Sequence, residues 1–262
     1  MCTAGAYAKN MTVGITGSSG FIGGALARSL RKRRGIRVLT FDRPGGDLLG
    51  ENHSKLDRFV RGCNVIVHAA AVTRGKDFDL IAGNVVATHR LLAALRRTKS
   101  KAKLVFLSSS VVDFRGTRPV YGAAKELTER MVESFSRENR HPATIMRLTN
   151  AFGEGCRPFH NSVVATFCHQ IVRGKPLEVN AKGPPLTLIY IGDVVKILVR
   201  ETISKRKAIF RFRRVYTDNV ISLHALARLI SSFRTLRNPR ILKSKFHRDL
   251  YRTYRFFAEA KR

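Results

Sequence analysis

Five short apolar runs recur through the first part of the chain: VGIT (13–16), VLTF (38–41), VIVHAA (65–70), LVFLSS (104–109) and TIMRL (144–148). They are continuous rather than alternating, the pattern of strands covered on both faces, and so predict a buried parallel sheet. Between them the apolar positions take helical spacing. Ile22, Leu26 and Leu30 form one stripe, closed by Gly35; a second begins near Asn84 with Val85, His89, Leu92 and Leu95; a third runs from Tyr121 through Met131 to Phe135. This alternation predicts an α/β fold built on a doubly wound parallel sheet. After about residue 150 the rhythm changes to helices expected at 161–173, 191–203 and 222–233, separated by irregular, partly extended pieces. That change predicts a second, smaller C-terminal lobe. No internal repeat is visible.

At 262 residues, with 44% hydrophobic positions, the chain is long enough to bury a sizeable core and is not of disordered type. No apolar run in the sequence approaches the roughly 20 residues of a membrane span. The opening MCTAGAYAKN lacks the charged start and apolar middle of a signal peptide, and residues 1–10 read as a disordered extension. Cys2, Cys63, Cys156 and Cys168 are scattered without metal-ligand spacing, which fits reduced thiols in a cytoplasmic protein. His68 and His89 also lack ligand spacing and read as packing residues, so no metal is expected. The charge alters the picture most: 49 Lys and Arg against 18 Asp and Glu leave a net +31. Such a surface attracts polyanions and anionic membranes. Its basic runs (28–34, 96–103, 205–214 and the last 35 residues) are dispersed, and no nucleic-acid module accompanies them. They read as solvated faces with general anion attraction, without a specific nucleic-acid partner.

The first strand runs into TGSSGFIGGAL, where Gly17, Gly20 and Gly23 open a helix. Small residues there let backbone N–H groups and a helix N-terminus approach a pyrophosphate, the Rossmann-type arrangement. Asp42, at the end of the second strand, is placed to bind the adenosine ribose hydroxyls of NAD, and Arg43 beside it to meet the 2′-phosphate of NADP. The two point in opposite directions. The expected division is therefore a dinucleotide-binding domain over 11–150 and a substrate lobe over 151–262.

Ser108, Ser109 and Ser110 follow the fourth strand, and Tyr121 and Lys125 stand at i and i+4 on one helical face. Carbonyl–alcohol interconversion requires an acid/base at the oxygen, a group that tunes it, and a hydrogen bond to hold the oxygen. Tyrosine, a nearby lysine ammonium and serine supply these in turn.

In order, TGSSGFIG, VIVHAAAV, GNVVATHRLL, LVFLSSS, YGAAK, RLTNAFG and IYIGDVV resemble the extended short-chain dehydrogenase/reductases that act on nucleotide sugars. The resemblance implies Tyr121 as proton donor or acceptor and Lys125 as the residue that lowers its pKa and holds the nicotinamide ribose. It also implies Ser109 or Ser110 on the substrate oxygen. It places the cofactor on Gly17, Gly20, Phe21, Ile22, Gly23, Asp42, Arg43, His68, Ala69, Ala70 and Lys125, and the sugar nucleotide near Asn150 and Asn161. The segments FGEGCRPFHNSVVATFCHQIVRGKPLEVN, LTLIYIGDVV and FHRDLYRTYRFF further resemble the reductase half of the bifunctional capsular-polysaccharide enzymes that make UDP-N-acetyl-6-deoxy-L-talosamine. In those, an NADPH-dependent domain reduces a 4-keto group and a cupin domain epimerises C3. The chain stops where the cupin would begin, so a separate cupin-type epimerase is an expected partner.

Three chemistries share this scaffold. Dehydration needs an Asp-Glu pair where this chain has Ser110 and Val111, and is disfavoured. C4 reduction with exchangeable NADPH is preferred, and an NAD-retaining 4-epimerase is the alternative. A non-enzymatic NADP(H)- or polyanion-binding protein is the rival class, which the Ser/Tyr/Lys set argues against. Arg157 and Lys175 are candidates for the UDP diphosphate, with a solvated role equally open to them, while Asp193 reads as a helix-start residue. A homodimer through helices 84–97 and 121–139, and attraction to anionic membrane surfaces, complete the expected partners.

Overall fold

The computed structural model describes residues 10–50, 53–114, 118–179, 184–204 and 208–260. Nine of the ten residues of the expected N-terminal extension, with Cys2, lie outside these, as does 205–207 of one basic run. In chain order the first elements are β1 (Met11–Thr16), α1 (Phe21–Arg31), β2 (Ile36–Phe41), α2 (His53–Arg61), β3 (Val65–His68), α3 (Asp77–Ile81), α4 (Ala87–Arg97), β4 (Lys103–Ser109), α5 (Pro119–Glu138) and β5 (Ala143–Leu148). They are followed by β6 (Asn150–Phe152), α6 (Val163–Val172), β7 (Leu186–Tyr190), α7 (Ile191–Ile203), β8 (Phe210–Val215), β9 (Val220–Ile221), α8 (Leu223–Ser232) and α9 (Lys245–Glu259). The chain divides into two compact units, residues 1–147 with 195–214, and residues 148–194 with 215–262.

The first unit carries a six-stranded sheet in the order β2-β1-β3-β4-β5-β8. β1 lies parallel to both β2 and β3, with Val13 opposite Val38 and Val65, and β3 is parallel to β4. Strand order reverses beside β1, and in such sheets the crevice at the C-terminal strand ends takes the ligand. Ile15, Ile66, Val67, Leu104, Val105 and Ile145 are buried along the strands, which explains their unbroken apolar runs. α1 keeps Leu26 and Leu30 on the sheet and places Arg28 and Arg31 in its last turn, where cations favour the helix dipole. α2 escapes the strand-and-helix pattern because only Leu56, Phe59 and Val60 of its nine residues are buried apolar side chains.

The helix expected from Asn84 starts earlier. α3 runs through a π-helical turn (Ala82–Val86) into α4, giving 21 helical residues from Asp77 to Arg97. By length and composition alone this helix is apolar enough to cross a membrane, contrary to the expectation from the sequence. Leu80, Asn84, Ala87, Leu91 and Leu95 are buried, so packing within the unit accounts for its apolar face. The Asn84 amide donates to Val72 O at 2.7 Å and Leu80 O at 2.8 Å at the π turn.

Several cations of this unit have structural partners. Buried Glu201 accepts from Lys103 Nζ at 2.7 Å and Thr144 Oγ1 at 3.0 Å, with Arg211 and Arg213 at 3.2 Å. Arg147 pairs with Glu129 and Asp113, and Arg214 also reaches Asp113 at 2.8 Å.

The second unit holds a small sheet, β6-β7-β9, with β6 and β7 parallel and β7 and β9 antiparallel. Its core gathers Phe152, Phe167, Leu188, Leu226, Ile230, Leu250 and Tyr254. α6 and α8 are capped by Ser162 and Ser222, whose hydroxyls accept from the backbone three residues on. Asp193 stands in the first turn of α7 and accepts from Lys245.

Candidate active site

The turn after β1 is built for close backbone approach. Gly17 has φ +76°, and a Cβ there would lie 2.5 Å from Ala70 N, in the chain leaving β3. A Cβ on Gly23 would stand 2.1 Å from Gly17 O, so the first turn of α1 rests directly on the loop. Gly20 is the N-cap of α1 and supplies no side-chain cap, leaving the first-turn N–H groups to an outside acceptor. Phe21 and Ile22 are half-buried at the start of that helix. Asp42 accepts from Gly17 N at 2.5 Å and Ser18 N at 2.9 Å, and from the Ser18 hydroxyl. Its carboxylate thus stands against the loop, whereas Arg43 points outward with its side chain 78% exposed, 3.6 Å from Asp47.

His68 belongs to the frame rather than to an open surface. Its Nδ1 is hydrogen-bonded to Thr16 Oγ1 at 2.6 Å and its Nε2 to Thr88 Oγ1 at 3.1 Å, tying β1, β3 and α4 together. Burial pushes its pKa down to about 3, with the Lys125 charge acting in the same direction. Only the backbone of His68, with half-buried Ala69 and Ala70, is left to face the glycine loop.

At the end of β4, Ser109 accepts from Val111 N at 3.3 Å, and its hydroxyl faces the phenol of Tyr121 and draws its pKa down. Ser110 is buried and opens a short 3-10 turn (Ser110–Asp113), and the buried Ser108 hydroxyl has no hydrogen-bond partner among the described residues. Tyr121 stands in the first turn of α5, and Lys125 follows one turn later. Lys125 is 2% exposed; its ammonium donates to Leu107 O at 2.8 Å and lies 4.3 Å from the centroid of Phe106. Burial pushes its pKa down to about 7, against the pull of Glu129. Burial also raises the Tyr121 pKa, while Arg118 and then Ser109 draw it back. Arg118 is the residue the sequence reading missed: its guanidinium carbon lies 4.6 Å from the Tyr121 ring centroid. A basic residue three positions before the tyrosine was the only signal available.

The expected sugar-nucleotide residues lie in the second unit. Asn150 is on β6 and exposed, with its amide 3.5 Å from Thr187 O; Arg157 and Asn161 are exposed between β6 and α6; Lys175 is exposed beyond α6. Within that unit the Tyr190 hydroxyl donates to Glu154 at 2.8 Å, and Arg252 Nη1 is 3.4 Å from it.

A doubly wound sheet, a glycine turn at the switch point and a Ser-Tyr-Lys set at the end of the fourth strand together define an extended short-chain dehydrogenase/reductase. The chain belongs to the NAD dependent epimerase/dehydratase family, whose model matches residues 13–202. It is 32% identical, over 251 residues, to the UDP-2-acetamido-2,6-beta-L-arabino-hexul-4-ose reductase of Pseudomonas aeruginosa, a match covering 94% of this chain and 65% of that protein. The capsular polysaccharide assembling protein CapF from Staphylococcus aureus is similar in structure, with a TM-score of 0.76 and 28% identity over 96% of this chain and 66% of CapF. The chain thus spans just under two thirds of the length of both. The fold is also that of a UDP-glucuronic acid 4-epimerase from Bacillus cereus, solved with UDP-glucuronic acid and NAD, at a TM-score of 0.83 and 18% identity over 95% of this chain and all of that one.

Proposed function

We propose that the chain reduces C4 of a UDP-4-keto-6-deoxy-N-acetylhexosamine with NADPH, in the cytoplasm, as a step toward surface polysaccharide. The observation that carries this reading is the convergence at the end of β4, where the Ser109 hydroxyl faces the Tyr121 phenol and Lys125 stands one helical turn away. The likeness to a UDP-sugar reductase along 94% of the chain favours reduction over epimerisation.

Gly17, Gly20 and Gly23, with the uncapped start of α1, fit a pyrophosphate, since a side chain at Gly17 or Gly23 would collide with the backbone that shapes the loop and force it open. When bound, the nicotinamide supplies the hydride. Ser109 holds the ketone oxygen through its hydroxyl and fixes it beside the phenol. As hydride reaches C4, the carbonyl π electrons move onto oxygen, and Tyr121 passes its phenolic proton to that oxygen. Solvent then reprotonates the tyrosinate. Lys125 carries a charge that adjusts near neutral pH and lies on the Tyr121 face of α5. Exposed Arg43, whose surface pair with Asp47 a 2′-phosphate could replace, supports NADPH, and the engagement of Asp42 by Gly17 and Ser18 supports the same choice. Asn150, Asn161 and Arg157 remain the residues assigned to the sugar nucleotide. A homodimer is supported by an apolar groove on the first unit, lined by Leu92, Leu127, Met131 and Phe135 of α4 and α5.

The test is cofactor consumption with purified protein, freshly made UDP-4-keto-6-deoxy-N-acetyl sugar and NADPH or NADH. Stoichiometric NADPH oxidation, lost in Tyr121→Phe, is expected. Absence of oxidation together with NAD released on denaturation would overturn the reductase reading in favour of an epimerase.

A further inference from the structure

We propose that Arg118 is a positioning residue that stabilises the ionised form of Tyr121, a task the family pattern alone gives to Lys125. The inference rests on the reading of Tyr121 as the proton donor and adds to it the source of the compensating charge. Three observations support it. First, Arg118 is the N-cap of α5, with φ 57° and ψ 62°, a left-handed conformation that is uncommon for a residue with a long side chain. That conformation turns the chain at the helix entrance, and the guanidinium carbon comes 4.6 Å from the centroid of the Tyr121 ring. A cation at this distance over an aromatic face is attracted to the ring, and more strongly once the phenol carries negative charge.

Second, Lys125 is aimed elsewhere. Its ammonium donates to Leu107 O and sits over Phe106, so the main chain of β4 and a core ring receive its charge. With its pKa pushed down to about 7, it is only partly protonated at neutral pH, whereas a guanidinium stays charged. Third, among the described residues, Arg118 pulls the Tyr121 pKa down most, and Ser109 follows in the same direction. Arg74, from the chain after β3, faces Arg118 in turn and opposes its charge.

The proton balance gives Arg118 its role. When Tyr121 gives its proton to the sugar oxygen, a phenolate is left in a site where burial alone raises the cost of that charge. A permanent cation on the ring face lowers that cost, making Tyr121 a stronger acid in reduction. It also makes tyrosinate available at lower pH in the reverse direction.

The test is a spectroscopic titration of tyrosinate in the full chain without cofactor, with Tyr121→Phe subtracted to isolate the one phenol. Arg118→Asn removes the charge and suits the left-handed backbone, because asparagine tolerates positive φ. It should move the Tyr121 titration to higher pH by about one unit or more. Arg118→Lys, which keeps the charge, should restore most of the shift. In turnover, the alkaline limb of the reduction profile should move the same way in Arg118→Asn, with kcat falling more than KM changes. An unshifted titration in Arg118→Asn, or Lys and Asn variants that behave alike, would overturn the inference. Retained reductase activity in Tyr121→Phe would instead sink the reading of Tyr121 as the acid, and the titration is independent of that outcome.

Discussion

Lys125 gives the sharpest link between the site and a measurable stability. Its ammonium is 2% exposed and receives one neutral acceptor, Leu107 O, at 2.8 Å. Burial takes the pKa from 10.5 in a free lysine to about 7, with Glu129 opposing the shift. The folded chain therefore binds fewer protons than the unfolded chain at any pH between those values. With more protons on the unfolded side, stability rises with pH across that window. Below about pH 7 both states carry the proton and the full charge-burial penalty applies. At about 1.4 kcal/mol per pKa unit, the penalty there is of order 5 kcal/mol and fades toward about pH 10.

Lys125→Met keeps most of the volume and removes the charge, at the cost of about 1 kcal/mol for leaving Leu107 O without its donor. The variant should be more stable than the parent near neutral pH by about 3–4 kcal/mol, an advantage that shrinks and reverses as pH rises. Urea denaturation of both chains without cofactor, at steps from about pH 6 to about pH 10, measures the difference and cancels groups common to both. Parallel curves would show that the Lys125 ammonium is not desolvated in the folded chain, and the reasoning from its burial would fail. The same variant should lose reductase activity, so gain of stability and loss of turnover are expected together.

Gly23→Ala places a methyl 2.1 Å from Gly17 O, a backbone atom that can yield only if the loop or α1 moves; dinucleotide affinity measured by calorimetry should fall at least about tenfold. Gly20→Ala, whose Cβ meets that oxygen at 3.2 Å, should lose much less, and equal losses would count against the loop geometry. Glu201→Gln strips the carboxylate from Lys103, Arg211 and Arg213 and should cost about 3 kcal/mol in denaturation at neutral pH. Burial raises the Glu201 pKa but Lys103, Thr144 and Arg211 outweigh it, holding the carboxyl below its ordinary value. This part of the stability is therefore present above the ordinary carboxylate range and lost as pH falls through the folded pKa, a slope that the variant should lack. Leu127 is 48% exposed on the groove between α4 and α5, and Leu127→Glu should convert a dimeric mass in sedimentation into a monomeric one; a parent chain already monomeric at micromolar concentration rejects the dimer.

Much of the frame was legible along the chain. Continuous apolar runs mark β1, β3, β4 and β5 because a strand covered on both faces needs apolar residues at every position, a local requirement; β2, expected to be buried as well, lies at the sheet edge and buries only Phe41. The glycine turn and the Tyr121–Lys125 pair were equally plain, since close backbone approach admits only glycine and one helical turn brings i and i+4 together. α9 was harder to read. Phe246, Leu250, Tyr254 and Phe257 recur at helical spacing, but arginines interleave them and conceal the stripe. The length of the helix through Asp77–Arg97 depended on a π turn held by Asn84, whose partners Val72 and Leu80 no periodicity names.

The finer chemistry was decided in three dimensions. Spacing left Ser109 and Ser110 equivalent, and the direction of β4 brings the Ser109 hydroxyl to Tyr121. His68 is held by threonines 52 residues before it and 20 after, which only the sheet and α4 bring to its two nitrogens. Arg118 reaches Tyr121 through a backbone angle that its residue type does not favour. Periodicity and glycine spacing are local and survive in one dimension. The charge that a buried phenol or ammonium meets is set by which atoms the fold turns toward it, and that is a property of the folded chain.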